Sequence, residues 1–188
     1  MGAATYRISD SAATLTLTDA QFGNLLTGTS LLAAGDTIVV NGAGNTGWVL
    51  DNFGGNETLV LSSAGSYFVG MGTSGTTTLL MGGTGNHTIG AGAATETFIL
   101  DATQNGGSTI TDLTAGDMID IDGANAIAGL TAGQSGAGTF TGAIDTAGEW
   151  SYSGSTLTYF AGAALTLTLT GTITTLTMQG NGDTFLVG

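Results

Sequence analysis

Three carboxylates set close together, Asp112, Asp117 and Asp120, are the residues of this chain best suited to chemistry. They close the stretch MGGTGNHTIGAGAATETFILDATQNGGSTITDLTAGDMIDID, residues 81–122, where Gly-rich turns precede short apolar runs and Asp122 adds a further acid. Gly permits the left-handed backbone of a tight turn, and short Asp and Asn side chains with freed carbonyls supply the oxygens a hard cation takes. The chemistry this suggests is calcium binding. Asp101 and Asp183 stand behind the first three as candidate ligands, and Asp36 (GDTIVV) with Asp51 and Asn52 (DNFGGNE) offers further oxygen-bearing turns. The competing role for each is a turn residue that bonds local backbone N–H groups. So many Asp in a chain only 8% charged favour the metal at Asp112, Asp117 and Asp120, with Asp183 and Asp101 behind them, whereas at Asp36, Asp51, Asn52 and Glu57 solvated turns are at least as well supported.

Other chemistries find little to work with. The single His87 and the absence of Cys exclude a zinc cluster and thiolate sites. His87 itself reads as a polar turn residue. Asp145 and Glu149 have the residue types of a glycosidase pair, but nothing around them suggests a cleft, and the chain is not expected to be an enzyme. Trp48, Trp150, Tyr152 and Phe160 read as core or inter-subunit packing rather than as a sugar platform.

Charge narrows the partners. Fourteen acidic residues face one basic residue, Arg7, for a net charge of −13. No basic patch for nucleic acid or an anionic membrane can be assembled from one Arg. The beginning, MGAATYRISDSAATLTL, lacks the basic and apolar regions of a Sec-type signal, and no apolar run is long enough for a membrane helix, so membrane insertion is not expected. With 41% hydrophobic residues the chain is expected to fold as a single domain.

The elements that must position the acids are strands. Tyr6 and Ile8, then Leu15 and Leu17, fall two apart, the strand period. Asp19 to Leu32 alone has helical spacing, through Phe22, Leu25 and Leu26, with Asp19 as candidate N-cap and an apolar loop as the alternative. From Gly35 to Leu100 apolar runs recur about every ten residues with Gly- and Asn-rich turns between them. Antiparallel sandwiches also space short strands this way, but the likeness among the turns favours a parallel solenoid. Residues 124–137 read as a connector. Leu165 to Leu169 and then Ile173, Leu176 and Met178 alternate with Thr, as antiparallel strands with one buried face do. The expected fold is all-β: an N-terminal cap over residues 1–40, a Gly-rich solenoid over 41–123, and a C-terminal β cap over 138–188.

GGTGNHTIG, Gly82 to Gly90, resembles the nonapeptide of the RTX calcium-binding β-roll, with His87 in the place of that motif's Asp and Glu96 in the corresponding place of the next half-repeat. GGSTITDLTAGDMIDIDG is similar to the segment that closes the roll in serralysin-type proteins. Ser108 and Leu113 replace its first Asp and its Phe, while Asp112, Gly116, Asp117, Ile119 and Asp120 remain. FTGAIDTAGEWSYSGSTLTY and the final GNGDTFLVG resemble the segments on the C-terminal side of the roll in those proteins. The resemblance covers residues 81–188. It implies a right-handed parallel β-roll, calcium, type I secretion with an uncleaved C-terminal signal, and an extracellular destination. The HExxH zinc helix of a serralysin protease is missing.

Together these readings predict a secreted calcium-binding structural protein that assembles with copies of itself into a filament, surface layer or matrix. The alternative is a calcium-dependent adhesin or ice binder presenting the Thr-rich stretch Thr166 to Thr177. Uncompensated charge should keep the chain unfolded where calcium is scarce, and filling the carboxylate sites at about millimolar calcium should fold it. Far-UV circular dichroism in EGTA should therefore show little β structure, with the strand signal appearing on addition of calcium; equal β content in both removes the expectation.

Overall fold

The structure is a computed structural model. It describes residues 6–7, 13–27, 30–31, 35–42, 47–49, 58–61, 65–71, 77–81, 85–101, 107–122, 149–160, 164–179 and 184–188. In chain order the elements are β1 (Tyr6–Arg7), β2 (Thr14–Leu17), α1 (Asp19–Thr27), β3 (Ser30–Leu31), β4 (Thr37–Val40), β5 (Gly47–Val49), β6 (Thr58–Leu61), β7 (Phe68–Gly70) and β8 (Thr78–Met81). They continue as β9 (Thr88–Gly90), β10 (Thr97–Asp101), β11 (Ser108–Leu113), β12 (Met118–Asp122), β13 (Trp150–Ser153), β14 (Thr156–Phe160), β15 (Ala164–Gly171), β16 (Leu176–Met178) and β17 (Thr184–Val187).

β1 and β3 form a two-stranded parallel sheet, and from β4 to β12 alternate strands go to two larger sheets: one runs β2, β4, β6, β8, β10, β12, β17, β16, the other β5, β7, β9, β11, β15, β14, β13. From β2 to β12, and from β5 to β15, every pairing is parallel. This is a β-solenoid with two strands per coil. Thr37, Thr58, Thr78, Thr97 and Met118 are successive register partners, so a coil takes 21, 20, 19 and 21 residues. The ten-residue spacing of the apolar runs is half a coil.

Strand alternation builds the core. Ile38, Val40, Leu59, Leu61, Leu79, Met81, Phe98, Leu100, Ile119 and Ile121 of the first sheet are all buried, as are Val69, Ile89, Ile110, Leu165, Leu167 and Leu169 of the second. Each fully buried Leu, Ile or Val contributes roughly 1.5 to 3 kcal/mol by leaving water. Runs such as TLVL place every second residue in this core, which is why four residues suffice for a rung.

The stack is closed differently at its two ends. β2 and β4 are already rungs of the first sheet, so the strand stack begins inside residues 1–40, the segment expected as a cap. The cap itself is α1, which turns Phe22 and Leu25 into the core. Its N-cap is Thr18, not Asp19: Thr18 Oγ1 accepts the Gln21 N–H at 3.4 Å, and Gln21 Oε1 accepts the Thr18 N–H at 3.0 Å. That reciprocal pair is a capping box. At the other end β17 pairs antiparallel with β12 and β16 with β17, while β14 and β13 follow β15 in antiparallel fashion. Trp150 and Tyr159 meet Phe185 edge-on, with ring centroids at 5.1 and 6.0 Å, and tie the two sheets together there. The expected connector over 124–137 lies outside the described residues.

A bulge marks the change from the regular coils to this closing region. The β11–β15 register shifts between Ile110 and Leu113, Asp112 takes a positive φ of 62°, and Gly171 opposite Leu113 has φ 144°. A Cβ on Gly171 would meet the Leu113 backbone, whereas one on Gly154, φ 55°, would meet nothing. Gly171→Ala should therefore lower stability by about 2 to 4 kcal/mol and Gly154→Ala by about 1 kcal/mol, measured by urea denaturation.

Candidate functional site

Among the acids picked out from the sequence, those whose side chains are described, Asp36, Asp112, Asp117 and Asp120, stand at separate places in the fold. Asp117 sits just before β12 and is fully buried, with its side chain turned inward. Its Oδ1 accepts the Glu96 N–H at 3.0 Å and its Oδ2 accepts the Thr114 N–H at 2.8 Å. Asp120 lies within β12 between Ile119 and Ile121, both inward, so it points outward and is half-buried. Asp112 belongs to the other sheet, is exposed, and accepts the Thr111 hydroxyl at 2.9 Å. Asp36 is buried before β4 and accepts the Ala13 N–H at 3.1 Å. Asp101 ends β10; Asp51, Asn52 and Asp183 lie outside the described residues. Among the described residues no group of three or more His, Asp or Glu gathers in a way that would hold a metal ion.

What Asp36 and Asp117 share is a position on the coil. Each stands immediately before a strand of the first sheet, as Thr77 and Glu96 do, and all four are buried. Each Asp accepts the amide of the equivalent residue one coil earlier, 23 and 21 residues back. The second sheet repeats the device. His87 Nδ1 accepts the Tyr67 N–H at 3.2 Å, and Ser108 Oγ accepts the His87 N–H at 3.0 Å, 20 and 21 residues apart. Since Nδ1 is the acceptor, the neutral imidazole carries its proton on Nε2. His87, expected as a polar turn residue, is buried and stacked on Tyr67 with centroids at 5.7 Å. The Tyr67 hydroxyl in turn donates to Asp19 at 2.8 Å, which joins the coil to α1.

Glu96 is the odd member of this ladder. Its Oε2 is buried without a hydrogen-bond partner. Burial first, and then the adjacent Asp117 carboxylate, raise its pKa from 4.5 to about 8, against a lowering by the Gly92 N–H. At neutral pH Glu96 therefore keeps its proton in this buried position next to Asp117.

A second acidic feature is a matter of register. Asp101 and Asp122 are direct partners on parallel β10 and β12, with Asp120 two residues back.

Between the acids, the outward face of the first sheet is uncharged. Thr14, Thr37, Thr58, Thr78 and Thr97 form one column in unbroken register, and Thr16, Val39, Val60 and Ile99 belong to the next. Thr14 and Thr16 are exposed and the others half-buried. Thr166, Thr168 and Thr170 of β15 are exposed on the outward face of the second sheet, whereas Thr177 belongs to β16 in the first. The stretch Thr166 to Thr177 is thus split between sheets and is not one array.

The remaining candidates fall into place as packing groups. Trp150 is buried in the core and Tyr152 packs against it; Phe160 is half-buried. The side chain of Trp48, and Asp145 altogether, lie outside what the structure describes. No helix among the described residues is long and apolar enough to cross a membrane. No family model, no curated protein and no solved structure matches this chain.

The Glu96 proton makes stability depend on pH in a definite direction. Between 4.5 and about 8 the folded state holds a proton that the unfolded state has released, so stability falls as pH rises through this window and levels off above it. Glu96→Gln keeps an acceptor for Gly92 and a donor for Asp117 without the ionisation. In urea denaturation the variant should match the wild type near pH 4 and exceed it by a few kcal/mol near pH 9. A wild-type profile with no such slope would exclude a buried proton at this position.

Proposed function

We propose that this chain is a secreted, calcium-supported structural protein, not an enzyme, which assembles with copies of itself into a filament, surface layer or matrix. The observation that carries the reading is Phe68. It is the one large hydrophobic residue exposed among the described residues, at 55%, and it lies on the outward face of β7. Its ring leans over Gly47, and Gly70 and Gly90 leave a shallow strip two residues further along the strands. A projecting aromatic beside a Gly strip is self-complementary, because two copies related by a two-fold axis each seat a ring against the other's glycines. Covered ends favour such lateral contact over end-to-end stacking. α1 closes one end of the core, and short antiparallel strands close the other.

Calcium enters through the resemblance to RTX rolls and through the charge of −13. The acids proposed for it are Asp101 and Asp122, which share one register position on neighbouring strands. Asp36 and Asp117 are committed to backbone amides and serve the coil. Export by a type I route with a C-terminal signal rests on the same resemblance.

A second reading, adhesion through a Thr-bearing face, is favoured by the exposed side chains of Thr166, Thr168 and Thr170.

Assembly is tested by light scattering coupled to size exclusion, and by negative-stain microscopy, with and without calcium. The wild type should form ordered assemblies with the ion, and Phe68→Ser should remain monomeric at concentrations about tenfold higher while keeping its circular dichroism spectrum. A wild type that stays monomeric with calcium, or a Phe68→Ser variant that assembles equally well, argues against the reading.

A further inference from the structure

We infer that the outward face of the first sheet, from β2 to β10, is a binding surface for a crystalline water lattice. The inference rests on the second reading above, in which a Thr-bearing face does the binding, and moves the site from β15 to the opposite sheet. The column Thr14, Thr37, Thr58, Thr78, Thr97 continues across five strands with no register slip. Strand spacing places successive hydroxyls about 4.8 Å apart, so the column extends over roughly 19 Å. A second column, carrying Val39, Val60 and Ile99, lies about 6.6 Å further along the strands.

The chemistry of these columns selects the occupant. Thr is β-branched and stiff at χ1, so in-register Thr repeat one another's hydroxyl and methyl positions instead of sampling several. A hydroxyl both donates and accepts, as a lattice water does, and the neighbouring aliphatic column orders water without competing for its hydrogen bonds. A small solute would need a concave pocket, and this is the outer face of a sheet. The absence of charge from the two columns, in a chain of net charge −13, suits an uncharged partner; a charged mineral or polyion would call for the acids that begin at Asp101 and Asp120. Periodicity in two directions is of use only against a partner that is itself periodic.

The test uses the full chain, folded in calcium, in an ice-recrystallisation assay and in partitioning into a slowly growing ice hemisphere. Thr58→Tyr and Thr78→Lys place bulk or charge at the centre of the column. Thr78→Lys guards against misfolding, because a Lys stem lies along the sheet with its ammonium in water. Thr168→Tyr makes an equivalent change on the other sheet. Circular dichroism establishes that each variant is folded. The expected result is that the wild type enters ice, that both column variants need about tenfold more protein for the same inhibition, and that Thr168→Tyr acts as the wild type does. A folded wild type excluded from ice overturns the inference. So does loss on Thr168→Tyr with the column variants unaffected, a result that would keep the Thr-face reading and return it to β15. Pairing of two copies through this face, detected as a dimer that Thr78→Lys dissociates while ice is left unaffected, overturns it as well.

Discussion

Every coil of this molecule is held to the next by hydrogen bonds running along the stack, and the parallel ladder does not stop at the strand ends. At the corners before β4, β6, β10 and β12 a backbone bond continues it: the Thr58 N–H donates to the Asp36 carbonyl at 2.8 Å, and the Met118 N–H to the Glu96 carbonyl at 2.9 Å. Where an amide at such a corner needs a partner, an inward polar side chain from the following coil supplies it, as Asp36, Asp117, His87 and Ser108 do. A buried N–H left without an acceptor costs about 1 to 3 kcal/mol, so these four groups let corners be buried that would otherwise have to stay wet. The core can then be continuous from β2 to β17, because no rung has to leave it to satisfy its own backbone.

The same constraint explains the composition. With only two short strands per coil of about twenty residues, more than half of most turns of chain lies between strands, and those segments are written in Gly, Asn, Asp, Ser and Thr. Outward strand positions go to Thr, Val and Ile because β-branched side chains suit a pleated surface covered on both sides by neighbours. The acids that remain are few and local. Among the described residues, Asp101 opposite Asp122 and the Glu96–Asp117 pair are two places where the fold sets acidic residues together, and it treats them differently. The buried pair keeps a proton; at the strand ends Asp101 and Asp122 share a register position.

Much of the architecture is legible in the sequence because alternation and punctuation are local signals. Runs such as TIVV, TLVL and TFIL, separated by Gly turns, announce strands of one buried face, and their even spacing announces coils. The roles of the acids are not legible in this way. An Asp that accepts an amide from one coil earlier and an Asp that ligates calcium occupy the same kind of Gly-flanked turn, and only the fold brings Ala13 to Asp36 or Glu96 to Asp117. Thr18 is hidden as the helix cap by the more conspicuous Asp19 beside it, although its T-x-x-Q spacing to Gln21 is a local signal too. The Thr column is equally present in the sequence: five of the strands, TLTL, TIVV, TLVL, TLLM and TFILD, begin with Thr, but the alignment has meaning only once a coil is known to take 19 to 21 residues.

The division between corner and face bears on how such a chain can change function without refolding. Corner residues are bound by the geometry of the coil-to-coil bonds, so altering Asp117 or His87 removes an acceptor from a buried amide and threatens the stack. Outward positions such as Thr58 or Phe68 lie on the solvent side of their strands, and a substitution there alters what the surface presents at little cost in stability. A β-solenoid therefore separates the residues that make it fold from those that make it useful, and displays the second set on a grid whose spacing the backbone fixes. What the surface presents then becomes a choice of side chain at fixed points, as with the exposed Phe68 on one sheet and the Thr column on the other.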